Sequence, residues 1–344
     1  MSEIVRVGVI GAGRIAQRHF RAYGENADKA KVVCAADPNL RAARESAEKF
    51  GFKDIYEDYR EVLRRDDVEA VSICAPTALH PVIAIAAFEA GKHVLCEKPA
   101  GLDASLFRKA MEAGRRSGKV FAMGFMERQM SNAKVLRDLI QSGRIGRPIV
   151  ARTAAFGSTL HRIPSFVDAE VNGGPFIDMF CHNVDTWSCA FEAKVVSVSA
   201  NGFIMSEQSA ARAKLKSPAI DTGEAVLAFD SGDLGALSAA WSLPDLAELN
   251  LLKKSLGDSF LGPKGFILGG VRGTLRVVTA QGVEEFPNDG IDAAHRKQVS
   301  AFCDAIRKGT PPGAPPEAGL YTLQVSLAVL KSIREKRVVR IEEI

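Results

Sequence analysis

The amino-acid sequence predicts an α/β domain built on a doubly wound parallel sheet, followed by an α+β domain with a large, mostly antiparallel sheet. Three observations support this prediction. A Val- and Ile-rich run, Ile4 to Ile10, is followed at once by a glycine turn and a helical pattern. Nearly continuous apolar strands then alternate with helices to about Phe125, which is typical of parallel sheets covered on both faces. From about Met126 the alternation of strands and helices gives way to strand-like runs separated by turns.

The turn after the first strand has the pattern G-x-G-x-x-A, from Gly11 to Ala16. Gly11 permits a sharp turn, Gly13 lets the backbone approach a pyrophosphate, and the next helix offers free N–H groups to phosphates. A second strand ends in Asp37, at about the spacing of the acid that binds an adenosine ribose hydroxyl. The alternative for Asp37 is a helix cap or an Asp-Pro turn.

A carboxylate at Asp37 repels the 2'-phosphate of NADP, so the sequence favours NAD, although Arg41 and Arg44 follow closely and soften this preference. The alternation then continues with helices at about 40–50, 59–65, 81–90 and 104–117, and with strands at about 70–75, 93–96 and 120–125. In such sheets the ligands bind at the carboxyl ends of the strands.

Two of these strand ends contain candidate functional residues. They are the segments Cys74-Ala-Pro-Thr-Ala-Leu-His80 and Cys96-Glu97-Lys98-Pro99. A lysine at a strand end beside a nicotinamide pocket can donate a hydrogen bond to a substrate hydroxyl or carbonyl. The alternative for Lys98 is a surface lysine paired with Glu97. His80 stands at a predicted helix start, where it fits either a capping role or a cofactor contact.

The segment GGPFIDMFCHNVD predicts a buried helix that carries three titratable groups. Asp178, His182 and Asp185 fall at i, i+4 and i+7, which places them on one helical face. Such a set forms either a satisfied polar pair in the core or a catalytic constellation. Metal binding is a third reading, but no further His or Cys cluster completes a coordination shell, so we predict no metal.

The second domain is predicted to begin with a helix at about 132–142 and to contain two closing helices, about 293–308 and 318–336. Strand-like runs lie at 149–156, 195–203, 224–229, 235–242, 265–268 and 274–279, and Asp230-Ser-Gly-Asp joins two of them as a hairpin. The loop 157–173 carries His161, Arg162 and Asp168, which line a substrate pocket or are solvated loop residues. Trp241 forms a pocket wall or belongs to the core. Segments 206–218 and 245–264 are not assigned to the sheet.

Composition excludes several other classes of protein. The chain has 344 residues, 47% of them hydrophobic, which is enough for two domains with substantial cores. A formal net charge of +4 is mild and the basic residues are scattered, so we expect no nucleic-acid partner. The six cysteines contain no CxxC pair, and neither a leader nor a membrane span is evident, so a cytoplasmic location is expected.

The motifs VGVIGAGRIA, AADPN, APTALH, GKHVLCEKP and GGPFIDMFCHNVD occur in this order. In this respect the sequence resembles, over nearly its whole length, the glucose-fructose oxidoreductase, inositol dehydrogenase and rhizopine-catabolism family of NAD(P)-dependent oxidoreductases. The resemblance implies a Rossmann domain followed by a sheet domain whose outer face makes a dimer or tetramer contact. It also implies a cis bond before Pro99. It further implies that Lys98, Asp178 and His182 lie around the reacting carbon, with His182 as the leading proton acceptor and Asp185 in a supporting structural role.

We therefore predict a Rossmann domain at 1–125 and a substrate-binding and oligomerisation domain at 126–344. The predicted activity is that of a dehydrogenase, NAD-preferring with NADP possible, that transfers hydride between a secondary alcohol of a cyclitol or sugar and the nicotinamide. Catalytic roles are expected for Lys98, Asp178 and His182, and substrate contacts for His161, Arg162, Asp168 and Trp241. Cofactor contacts are expected from Gly11, Gly13, Arg14, Ile15, Asp37, Ala75, Thr77, His80, Glu97 and Lys98. The alternatives are an NAD-dependent glycosidase and a non-catalytic dinucleotide sensor.

Overall fold

The computed structural model describes residues 4–205, 213, 215–246, 248–249 and 257–344. Its internal contacts divide the chain into two compact units. The first comprises Met1–Gln129 and Ile291–Leu320, and the second comprises Met130–Gly290 and Tyr321–Ile344. The first crossing between units lies close to the predicted boundary at 125/126. The predicted domain limits do not include the return of Ile291–Leu320 to the first unit. The assignment of cofactor binding to residues 1–125 and of substrate binding to residues 126–344 remains a proposal.

The first unit contains a parallel sheet of six strands in the order β3-β2-β1-β4-β5-β6. The strands are β1 Val5–Ile10, β2 Ala30–Ala36, β3 Asp54–Tyr56, β4 Ala70–Ile73, β5 His93–Cys96 and β6 Phe121–Met123. The helices between them are α1 Arg14–Gly24, α2 Leu40–Phe50, α3 Tyr59–Leu63, α4 His80–Glu89 and α5 Ala104–Ser117. This order confirms the doubly wound sheet, and its carboxyl edge is where ligands of such sheets bind.

Apolar strand residues build the core of this unit, because both faces of a parallel sheet are covered. Val5, Val7 and Val9 of β1 are fully buried. The same cluster includes Phe302 of a late helix, α10 Ile291–Lys308, as well as Val299 of that helix. The late helix therefore completes the core of the first unit by apolar packing.

The second unit contains a sheet of nine strands, counted over the described part of the chain, in the order β14-β13-β12-β11-β7-β10-β9-β8-β15. The strands are β7 Val150–Phe156, β8 Val195–Phe203, β9 Thr222–Phe229, β10 Leu234–Ala240, β11 Ser259–Gly262, β12 Gly265–Leu268, β13 Leu275–Thr279, β14 Gly282–Phe286 and β15 Val339–Arg340. Only the pair β7–β10 among these is parallel. The mostly antiparallel sheet is thus confirmed, and so is the β9–β10 hairpin.

The remaining helices are α6 Ser131–Gln141, α7 Thr159–Arg162, α8 Pro175–Asp178, α9 Phe180–Phe191 and α11 Pro316–Glu335. One difference concerns the predicted helix that carries Asp178 and His182. The structure divides it into α8 and α9 at Met179, so the prediction of one continuous helix was wrong at this point. The unassigned segment 245–264 contains β11, and the part 250–256 lies outside the described residues, as does most of 206–214.

Candidate functional site

The glycine turn between β1 and α1 has the geometry that a bound pyrophosphate requires. Gly11 has a φ of +99°, and a Cβ built on it would lie 2.5 Å from the Cys74 carbonyl oxygen. A Cβ on Gly13 would have no atom within 4 Å, so the backbone there is open to a ligand. α1 begins at Arg14 without a side-chain cap, which leaves its first N–H groups available to an anion. The turn therefore fits the phosphates of a dinucleotide.

Asp37 follows β2 and is bonded to the same turn. Its Oδ2 accepts the Ala12 N–H at 2.7 Å, and its Oδ1 accepts the Asn39 N–H at 2.7 Å. The carboxylate thus organises the local backbone, as the turn alternative proposed. Each carboxylate oxygen can accept a second hydrogen bond, so these contacts leave capacity for ribose hydroxyls.

Four other side chains near the turn differ in exposure. Arg14 is exposed at the start of α1, and Ile15 is half-buried against the core of the first unit. Arg41 and Arg44 are both exposed on α2, where Arg41 Nε lies 3.7 Å from Glu45 Oε1. An exposed pair of this kind is weak, so it does little to fix the direction of the Arg41 guanidinium.

His80 joins the two strand-end segments that the sequence singled out. Its Nε2 lies 2.8 Å from the Ala75 carbonyl oxygen and its Nδ1 lies 2.7 Å from the Pro99 carbonyl oxygen. Burial lowers the pKa of His80, while the two carbonyl groups act in the opposite direction. The imidazole therefore links the loop after β4 to the loop after β5. The expected direct cofactor contacts of Ala75, Thr77 and His80 stay predictions.

The Glu97-Lys98-Pro99 segment ends β5, and its peptide bond before Pro99 is cis, as the resemblance implied. Glu97 is buried and does not serve as the surface partner of a lysine. Its Oε1 lies 2.8 Å from His19 Nε2, and its Oε2 accepts the backbone N–H of Lys98 at 3.2 Å. Lys98 itself is half-buried. Sequence reasoning missed His19, a histidine on the buried face of α1 whose only signal was its polarity among apolar neighbours.

Asp178, His182 and Asp185 are all buried in the second unit, with exposed fractions of 8%, 5% and 2%. Gly173 and Gly174, which lead into α8, have φ values of +79° and +77°, a region that favours glycine. A Cβ on Gly174 would lie 2.8 Å from the Ala219 Cβ. The double glycine therefore lets the chain turn sharply into the segment that carries the three polar groups.

The tentative substrate residues lie in different surroundings. Asp168 is buried, and its Oδ1 accepts the Glu170 N–H at 3.0 Å, so it organises the loop that contains it. His161 is exposed, and Arg162 donates to Asp245 from an exposed position. Trp241 is 7% exposed and packs with Leu160 and Val167, which favours the core alternative. A substrate contact of these four residues stays a prediction.

Two features are absent from the described residues. No group of three or more His, Cys, Asp or Glu side chains among them is arranged to hold a metal ion. No helix in that part of the chain is long and apolar enough to cross a membrane. Lys98 belongs to the first unit, whereas Asp178 and His182 belong to the second.

Two family models match the chain. Residues 5–125 match the "Oxidoreductase family, NAD-binding Rossmann fold", and residues 133–252 match the "GFO/IDH/MocA C-terminal domain". The chain is 29% identical to the myo-inositol 2-dehydrogenase of Thermotoga maritima over 99% of both chains. It is 27% identical to the scyllo-inositol 2-dehydrogenase (NAD(+)) of Bacillus subtilis, over 99% of this chain and 98% of that relative.

Solved structures show the same fold. A probable dehydrogenase from Thermotoga maritima superposes with a TM-score of 0.76 at 27% identity, covering 99% of this chain and 100% of the other. A levoglucosan dehydrogenase in complex with NADH and levoglucosan superposes with a TM-score of 0.84, covering 98% and 100%. At 21% identity the second likeness concerns the fold alone. These matches, together with the glycine turn, confirm the resemblance found in the sequence. The chain belongs to the Gfo/Idh/MocA family of oxidoreductases, and its first unit contains an NAD-binding Rossmann domain.

Proposed function

We propose that this oxidoreductase is an NAD-preferring dehydrogenase that acts on a secondary alcohol of a cyclitol or sugar, or reduces the corresponding ketone. The observation that carries the proposal is the pairing of the open glycine turn with two sets of buried or half-buried polar groups, Lys98 on one unit and Asp178 with His182 on the other. The names of the relatives, which include inositol 2-dehydrogenases, support the substrate class.

The proposed chemistry assigns one task to each group. When bound, NAD supplies the hydride-accepting nicotinamide ring. His182 accepts the hydroxyl proton, because the ordinary pKa of histidine, about 6.5, suits proton exchange near neutral pH. Lys98 donates a hydrogen bond to the same oxygen and stabilises the negative charge that develops there. Asp178, four residues before His182, orients the imidazole or binds a neighbouring substrate hydroxyl.

The preference for NAD rests on Asp37. Its carboxylate already accepts the N–H groups of Ala12 and Asn39, so it is held beside the glycine turn. A fixed negative charge at that place favours the two hydroxyls of an adenosine ribose and repels a 2'-phosphate. The exposed Arg41 and Arg44 weaken the discrimination, so we expect a preference rather than strict exclusion of NADP.

The test is an absorbance assay for reduced nicotinamide, with NAD and with NADP, across a panel of inositols, aldoses and sugar acids. A dehydrogenase accumulates reduced cofactor in proportion to the substrate consumed. A glycosidase of the same family regenerates its cofactor, so it would release product without net reduction. A sensor would bind NAD and convert none of the panel. Either of the last two results would contradict the proposal.

We also propose that a second copy of this chain covers the outer face of the nine-stranded sheet. Paired residues form an apolar row across six strands of that sheet: Val283, Val278, Phe266, Leu261, Val150 and Leu234. Phe266 and Leu261 are 37% and 40% exposed, and Val283 is 52% exposed. Val150 and Val278 are half-buried, and the other four side chains are exposed. A row of apolar side chains with this much exposed surface is typical of a protein–protein interface. A homodimer or homotetramer is therefore expected.

A further inference from the structure

A chain of buried hydrogen bonds runs from the helix after the glycine turn to the backbone of Lys98. Tyr23 Oη lies 2.7 Å from Ser72 Oγ, and Ser72 Oγ lies 3.2 Å from His19 Nδ1. His19 Nε2 lies 2.8 Å from Glu97 Oε1, and the other oxygen of Glu97 accepts the Lys98 N–H. His19 and Ser72 have no exposed surface, and Glu97 is 4% exposed. These bonds connect α1, β4 and the end of β5.

The protonation of the pair follows from its surroundings. Burial alone lowers the pKa of His19, but the neighbouring Cys74 and Glu97 side chains raise it above its ordinary value. Burial raises the pKa of the Cys74 thiol, whereas the Glu97 carboxylate lies 2.8 Å from His19 Nε2 and stabilises the protonated imidazole directly. Burial raises the pKa of Glu97, but the bond to His19 offsets this and leaves the pKa below its ordinary value.

A second histidine, His295, faces the pair of His19 and Glu97. On α10, the His295 ring centroid lies 6.2 Å from that of His19, and burial lowers the pKa of His295. A neutral His295 therefore leaves His19 as the imidazolium of this cluster. Two N–H groups of that imidazolium then donate, one to Ser72 and one to Glu97.

Gly124 provides the space in which the Glu97 carboxylate sits. A Cβ on Gly124 would lie 2.7 Å from Glu97 Oε1 and 3.0 Å from Glu97 Cα. The Gly124 N–H also donates to the Cys96 carbonyl oxygen at 2.7 Å, which fixes its own position beside the end of β5. The carboxylate is thus confined on this side by backbone and on the other by the imidazole.

We propose that Glu97 and His19 are positioning residues that hold the backbone of Lys98 and tie it to the helix that follows the glycine turn. The proposal rests on the proposed function in one respect, the role of Lys98. One oxygen of the Glu97 carboxylate contacts His19, and the other accepts the Lys98 N–H. Loss of either the Glu97 carboxylate or the His19 imidazolium therefore loosens the hold on the Lys98 backbone. A displacement of about 1 Å is enough to cost roughly a hundredfold in rate where a reacting group must be aligned.

The experiment compares His19→Gln, Glu97→Gln and Lys98→Ala with the unaltered enzyme, measuring kcat, KM and the Kd for NAD. His93→Gln and Glu69→Gln are matched controls, because His93 begins β5 and Glu69 precedes β4 at the opposite edge of the sheet. We expect His19→Gln and Glu97→Gln each to lower kcat about tenfold or more, with the Kd for NAD changed by less than about threefold in His19→Gln. The controls should keep kcat within about twofold.

A pH profile separates positioning from a general loss of structure. In His19→Gln the buried Glu97 loses its cationic partner, so its pKa rises and the acid limb of kcat moves to higher pH. Glu97→Gln has no carboxyl group at this position and should show no such movement. If Glu97→Gln does not fold, Gly124→Ala tests the same point, because it displaces the carboxylate without removing an ionisable group.

The outcomes distinguish this proposal from the function on which it rests. If Lys98→Ala keeps its rate, the proposed role of Lys98 is wrong. If Lys98→Ala loses its rate while His19→Gln, Glu97→Gln and Gly124→Ala keep theirs, Lys98 acts but the positioning pair does not. A fall in kcat for the three network variants, with NAD affinity retained in His19→Gln, supports the proposal.

Discussion

The two glycines of the nucleotide turn provide a test that separates stability from binding. A Cβ on Gly11 would lie 2.5 Å from a backbone oxygen at a φ of +99°, so Gly11→Ala forces a backbone shift in a strained conformation. Strain at a disfavoured φ and overpacking each cost about 1–3 kcal/mol, which predicts a loss of about 2–6 kcal/mol in the free energy of unfolding. NAD affinity should fall as well.

Gly13→Ala should have the opposite profile. The added Cβ meets no atom of the protein, and Gly13 has an ordinary φ of −70°. The poorer capping by Ala and its lower entropy in the unfolded chain oppose each other, so stability should stay within about 1 kcal/mol. The Cβ nevertheless stands where the pyrophosphate approaches the backbone, so the Kd for NAD should rise about tenfold or more.

Urea unfolding and calorimetric titration with NAD measure the two quantities separately. Gly24→Ala is the matched control, because its Cβ also meets nothing within 4 Å but lies at the far end of α1. It should change neither quantity appreciably. Wild-type NAD affinity in a folded Gly13→Ala variant would refute the placement of the pyrophosphate at this turn.

Three further predictions concern other parts of the molecule. Asp37→Ser should lower the ratio of kcat/KM with NAD to kcat/KM with NADP by about tenfold or more, because it removes a negative charge beside the ribose. An unchanged ratio would show that Asp37 does not face the cofactor. Burial lowers the pKa of His93 to about 4, so the unfolded chain binds one more proton between that pH and about 6.5, and stability is lost as pH falls through this range. In acid urea titrations His93→Gln, which keeps an acceptor for the Val120 N–H, should lose less stability than wild type; equal losses would count against it. Phe266→Lys should shift the mass measured by light scattering to that of a smaller assembly, whereas Val338→Lys, at a position that is more exposed but outside the apolar row, should not.

Much of the fold could be predicted because hydrophobic period and turn residues are local properties. The short strands β3, β11, β14 and β15 were missed, and β14 shows a physical reason. β14 is exposed along most of its length and has Glu284 and Glu285 at its centre, so it lacks the apolar face that marks a strand. Its position comes from pairing with β13, which local sequence does not encode.

The residues of the candidate site that belong to sequence motifs could be identified from the sequence. Gly11 and Gly13 lie in the turn after β1, Asp37 follows β2 and accepts the Ala12 N–H, and the cis bond before Pro99 is present. The cofactor contacts of these three residues stay predictions. The partner of Glu97 was not predictable, because His19 lies 78 residues earlier and meets it only when α1 packs on the sheet. The division at Met179 likewise depends on how α8 turns after two glycines rather than on the spacing of Asp178 and His182.

The most direct test of the central claim is the turnover of Lys98→Ala and His182→Ala with NAD and the best polyol found in the panel. We predict that each variant loses on the order of a hundredfold or more in kcat while binding NAD with nearly wild-type affinity. Near-normal turnover in either variant would remove that residue from the reaction and contradict the proposed mechanism.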